Sequence, residues 1–151
     1  MKQLLLGVGL ALVLAGGARA SDPTGIYARI EKVIFEPNDT KPERVQVWGT
    51  FALAAKRAVT GDEYQPPVKG YLYYSLVPGK EDKCRNEWTD LKKVAGKDQC
   101  VGFGGRYGQL GTVRKPDQKP KDPDAYPLAR GVEKVDATNP QAKALKDKAK
   151  P

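Results

Sequence analysis

Between Ile26 and Leu76 the apolar residues recur at every second position in three successive runs, and a chain patterned this way is committed to sheet. Ile26, Ala28 and Ile30 alternate with Tyr27, Arg29 and Glu31, after which Val33 and Phe35 carry the series on one residue out of step. A change of phase inside one strand sends side chains to the wrong face unless an extra residue is absorbed, so a bulge is expected there. Pro37-Asn38-Asp39-Thr40-Lys41-Pro42 has the composition of a turn. Val45, Val47, Gly49, Phe51 and Leu53 then alternate with Gln46, Trp48, Thr50 and Ala52 in a second strand. After a polar connection with Gly61, Pro66 and Pro67, a third strand follows, with Leu72, Tyr74 and Leu76 on one face and Tyr71, Tyr73 and Ser75 on the other.

Beyond Pro78-Gly79 the period becomes helical. Cys84, Trp88, Leu91 and Ala95 stand at i, i+4, i+7 and i+11, a single apolar stripe. Glu81 and Asp82 fall in the first turn and Lys92 and Lys93 in the last, in keeping with the helix dipole, and Gly96 is placed to end the helix. Val101 and Phe103 begin a fourth strand, a proline- and lysine-rich connection runs from Arg114 to Pro127, and Gly131 to Val135 reads as a fifth strand. Three strands, one helix and two strands, with a bulge in the first strand, resembles the OB-fold barrel of small exported bacterial proteins. The resemblance is one of order and pattern. It implies a mainly β chain: a small five-stranded OB-like barrel with one helix between strands 3 and 4, the helix plugging the open end with Trp88 and Leu91. A different small barrel or an α+β sandwich is the competing architecture.

The ends of the chain differ from its middle. Met1-Lys2-Gln3, an apolar run from Leu4 to Ala15 and Ala18-Arg19-Ala20 have the form of a secretory signal, too short to span a membrane. The expected mature chain begins at Ser21 and is periplasmic or secreted. Residues 21–136 then form one domain, and residues 137–151, with Lys143, Lys146, Lys148 and Lys150 against Asp147, are expected to be a disordered basic tail. The net charge of +8 falls to +6 without Lys2 and Arg19, and the tail holds +3 of that. The body is only mildly basic, which argues against a dedicated nucleic-acid domain.

The stretch CVGFGGRYG at residues 100–108 invites a phosphate-binding reading, but its third fingerprint position is Tyr107 and Pro116 interrupts any following helix. Gly102-Phe103-Gly104 also overlaps an RNA-reading strand, whose next positions would not be Gly105 and Arg106. A strand that bends sharply at its glycines accounts for it. The chain contains no histidine, the commonest general base and metal ligand. Two cysteines do not make a zinc site, so no metal, cofactor or enzymatic activity is expected. Cys84 and Cys100 leave two possibilities open. An oxidising compartment favours a disulfide, whereas a helix rising about 1.5 Å per residue carries the chain away from Cys84 before Cys100 is reached, favouring two buried thiols.

What remains is binding. With the apolar series of strands two and three facing the core, Trp48, Tyr71 and Tyr73 stand outward on adjacent strands, with Arg44, Lys69 and Arg106 as neighbouring cations. This is the face on which OB-like domains bind. The sequence therefore points to a non-catalytic exported module that uses this face for a protein or an anionic envelope polymer such as polysaccharide. Against the aromatic face stands the reading that a long loop simply covers these rings; the alternative function is a structural or interaction protein of the cell envelope with no small ligand, tethered by its basic tail.

Overall fold

The computed structural model describes residues 26–58, 61–64, 66–104, 110–128 and 131–148, with the backbone alone for 54–58 and 61–64. The expected signal segment from Met1 to Ala20, its cut before Ser21, and Arg106 with its neighbours in the glycine-rich stretch lie outside the described residues. In chain order the elements are β1 (Ile26–Glu36), β2 (Arg44–Ala52), β3 (Ala54–Ala58), β4 (Gly61–Tyr64), β5 (Val68–Ser75), α1 (Glu81–Val94), β6 (Val101–Phe103), β7 (Asp124–Ala125), β8 (Glu133–Lys134) and α2 (Pro140–Lys148).

The chain is mainly β. Six strands form one curled, half-closed sheet in the order β7-β5-β2-β1-β6-β8, and β3 and β4 make a separate hairpin. β5 and β7 run parallel and the other neighbours antiparallel, so the sheet is mixed. The phase slip in β1 is a real bulge: its register against β2 shifts between Ile30 and Lys32. Ile26, Ala28 and Ile30 are buried before it, and Val33 and Phe35 pack against the same core after it. α1 lays its stripe on this inner face, with Cys84, Trp88 and Leu91 fully buried. Gly96, at φ +75°, lets the chain turn out of the helix and donate its N–H to the Ile30 carbonyl at 2.9 Å.

Three expectations are corrected. Six strands replace five in the sheet: the expected fifth strand shrinks to β8, paired with β6, and β7 arises inside the proline-rich connection where Tyr74 and Ser75 offer an edge. Residues 54–64, read as a polar connection, form the β3–β4 hairpin. Within the expected disordered tail, residues Pro140–Lys148 form a second helix, α2. Asn139 Oδ1 accepts the N–H groups of Gln141 and Ala142 at 2.9 and 3.4 Å, Pro140 occupies the first helical position, and Ala142 and Leu145 are buried. A tail averaged over its composition looks too polar to fold, but one leucine and one alanine three residues apart suffice when a sheet supplies the other side of the contact. They pack with Ala52 and Cys100. Ala52 shares the outward parity of Trp48 and Thr50, so α2 covers one end of the face opposite α1.

Candidate functional site

The outer face of β1, β2 and β5 is built by alternation. After the bulge, β1 turns Lys32, Ile34 and Glu36 outward; they stand opposite Trp48, Gln46 and Arg44 of β2, and Trp48 and Gln46 stand in turn opposite Tyr71 and Tyr73 of β5. The result is three ranks of side chains running across the strands, of which the second and third join into one hydrogen-bonded row.

In the first row Trp48 is held between neighbours. Tyr71 stacks on it with ring centroids 4.6 Å apart and planes at 21°, and Lys32 Nζ lies 4.5 Å from the indole on its other side. The indole Nε1 donates to Gln46 Oε1 at 3.0 Å. The second row centres on the Glu36 carboxylate, which accepts from Gln46 Nε2 at 2.5 Å and from the Tyr73 hydroxyl at 2.9 Å and pairs with Arg44 Nε at 3.4 Å. Desolvation, reinforced by the Glu36 carboxylate, raises the Tyr73 phenol above its ordinary value and keeps it a donor at neutral pH.

The proline-rich connection folds over part of this face. Arg114 exchanges backbone hydrogen bonds with Tyr71 at 2.8 and 3.0 Å, and the Tyr71 hydroxyl donates to the Gln118 carbonyl at 2.5 Å. The Arg114 guanidinium sits over the Tyr73 ring at 5.6 Å while bonding Asp124 Oδ2 and the Asp122 carbonyl at 3.3 and 2.7 Å. Gly70 makes the close approach possible, because a Cβ there would collide with the Arg114 carbonyl. Tyr71 and Tyr73 thus face outward as expected yet are only 1% and 5% exposed. Trp48 and Gln46 remain half-exposed in the uncovered middle of the sheet.

Of the six binding residues expected from sequence, the fold unites Trp48, Tyr71, Tyr73 and Arg44. Lys69 stands at the margin, 67% exposed and paired with Glu31 at 3.1 Å, and Arg106 lies outside the described residues. Glu36, Gln46, Lys32 and Arg114 were missed. The first three carry a readable signal, since moving the parity of β1 by one residue at the bulge turns Lys32 and Glu36 outward; Arg114 lies in an irregular loop whose path no period reveals.

Cys84 and Cys100 are both buried and unbridged, Cys84 on the inner side of α1 in the main core and Cys100 in the small cluster under α2. Burial pushes the Cys100 thiol up to about 11 and raises that of Cys84. An open cleft of about 960 Å³ lies beside α2, where Arg29 pairs with Asp98 and Lys134, Lys143 and Lys146 are offset by Asp136 and Asp147. Among the described residues no group of three or more acidic or cysteine side chains could hold a metal ion, and no helix is long and apolar enough to cross a membrane. No family model, curated protein or solved structure matches this chain.

Proposed function

We propose that the protein is a non-catalytic exported binding module, an OB-like barrel left partly open, whose outer β1–β2–β5 face docks a protein partner. One observation carries this reading: Trp48 is half-exposed at the centre of the face, yet its ring is fixed by Tyr71, Lys32 and Gln46 before any ligand arrives. Tryptophan is among the residue types enriched at the dominant positions of protein interfaces, and an anchor already ordered loses little conformational freedom on binding. Both faces of the indole are occupied, so it offers its edge, which suits side-chain packing better than flat stacking on a sugar.

Envelope polysaccharide is the second ligand class, favoured by the amide, carboxylate and guanidinium of Gln46, Glu36 and Arg44 beside the indole. A sugar that stacks must first displace Lys32. The signal-like first twenty residues support a periplasmic or secreted location, and the lack of histidine favours binding over catalysis. Partner capture with wild-type protein, Trp48→Ala and Lys143→Ala tests the reading. A partner held by wild type and Lys143→Ala but lost by Trp48→Ala supports it; a partner held equally by all three removes the face from the mechanism. Binding of soluble polysaccharide that strengthens in Lys32→Ala would instead favour the sugar.

A further inference from the structure

We infer that the free edge of β1, from Lys32 to Glu36, pairs antiparallel with the same edge of a second copy of this chain, about a twofold axis at Ile34. The orientation of the backbone leads to this. The Glu36 carbonyl accepts the Glu43 N–H at 2.8 Å on the β2 side, while the Ile30 carbonyl accepts the Gly96 N–H at 2.9 Å on the opposite edge. Backbone groups alternate sides along a strand. After the bulge, therefore, Lys32, Ile34 and Glu36 direct theirs toward β2, and Val33 and Phe35 direct theirs away. β6 pairs with β1 only at Ile26, Tyr27 and Ala28. Among the described residues no backbone hydrogen bond reaches Val33 or Phe35 on that outer edge.

An open strand edge is a template for another strand, and this one is complementary to itself. Centred on Ile34, antiparallel pairing sets Val33 opposite Phe35 of the second copy, where the unpaired groups of both exchange their N–H···O bonds. Ile34 meets its own symmetry mate, covering a side chain that is 39% exposed. Lys32 meets Glu36 on either side of the axis, so each end of the ladder joins opposite charges. The bulge at one end and Pro37, which has no N–H, at the other stop the pairing from running further. The symmetry is isologous and closed, giving a dimer and not a fibre. Its short ladder makes it a weak, reversible one. The two outer faces become continuous across the axis and set two Trp48 rows side by side.

Sedimentation equilibrium over a wide concentration range tests the dimer. Wild-type protein is expected to pass from monomer to dimer as concentration rises, and Ile34→Lys to stay monomeric where wild type is dimeric, with an unchanged melting temperature. Val33→Pro removes an N–H that is unpaired in the monomer and is expected to have the same effect on association. Ile34→Cys supplies a geometric test: facing residues of a non-hydrogen-bonded antiparallel pair have Cα atoms about 4.5 Å apart, within disulfide reach. It is expected to form a covalent dimer on mild oxidation, and the exposed control Lys41→Cys is not. A wild-type protein that stays monomeric to its solubility limit, a dimer indifferent to Ile34→Lys, or an Ile34→Cys variant that does not cross-link would each overturn the inference. Should Val33→Pro fail to fold, the two Ile34 variants decide.

Discussion

The rings of Trp88 and Tyr126 meet edge to face, 5.9 Å between centroids and 90° between planes, and so tie α1 to the end of the proline-rich connection. Tyr126 meets Tyr74 of β5 in the same manner, at 5.2 Å and 86°. Trp88→Ala opens a cavity at this three-way junction and is expected to cost roughly 3–5 kcal/mol. Trp48→Ala removes a half-exposed ring on the other face and is expected to cost about 1 kcal/mol. Urea melts of the two variants check the difference; equal losses would contradict the assignment of the two faces.

Glu87 is buried one position before Trp88 on α1. Its Oε1 lies 3.9 Å from Lys83 Nζ, its Oε2 has no hydrogen-bond partner among the described residues, and the Tyr126 hydroxyl lies against the carboxyl without closing a well-aligned bond. Burial raises its pKa above the ordinary value, with a further push from Asp90 and an opposing pull from Tyr126 and Lys83. The folded state therefore holds the proton to higher pH than the unfolded chain, and stability falls as pH rises from the ordinary carboxyl range through the folded pKa. Glu87→Gln is expected to be more stable than wild type at pH 7, with the gap closing as pH falls toward the ordinary carboxyl range at about 4. Denaturant melts at several pH values check this; a gap that does not change with pH would contradict it.

Leu145 is fully buried although it belongs to the lysine-rich end of the chain. Leu145→Ala is expected to lower stability by about 2 kcal/mol, and deletion of residues 137–151 to lower it at least as much. The melting temperature of the truncated protein checks this; an unchanged value would mean that α2 adds nothing to the fold.

Gly70 lies where the Arg114 backbone crosses β5. Gly70→Ala is expected to lift the connection off Tyr71, since the new methyl would occupy the place of the Arg114 carbonyl. Loss of the Tyr71–Gln118 hydrogen bond and fuller exposure of Trp48 follow. A red shift in tryptophan emission, measured in the folded baseline, checks it.

The two thiols are expected to be inert while the protein is folded. A rise in the Cys100 pKa from 9.0 to about 11 leaves roughly 100-fold less thiolate at pH 8. An aromatic disulfide reagent should label Cys84 and Cys100 quickly in urea and slowly in buffer, and rapid labelling in buffer would show that the two clusters open readily.

What the sequence made legible is what a repeating period encodes. The alternation in β1, β2 and β5, the phase slip that became the bulge and the apolar stripe of α1 all follow from residues whose neighbours in the chain are also their neighbours in structure. β7 and β8 are two residues each and take their form from the strands beside them, so no local pattern announces them. α2 had a local signal, Asn139-Pro140 as cap and first turn, outweighed by the lysines around Leu145. The site divides in the same way. Outward parity placed Trp48, Tyr71 and Tyr73 on one face, whereas the burial of the two tyrosines depends on Arg114 and Gln118, more than forty residues away.

The helix that covers Ala52 and Cys100 also meets Tyr27 and Val135 and rests on β1 and β2. The last described element thus closes over the first. During synthesis the strands are made well before Leu145, and the end of the sheet around Tyr27 and Ala52 stays wet until α2 arrives. Completion of the second cluster thus waits on α2, and a chain cut before Asn139 would keep the residues of its main core and lack Ala142 and Leu145 of its second. The same adjacency brings the two ends of the described chain to one side of the sheet, where they could be joined and the chain reopened at the turn between β1 and β2 with both clusters retained.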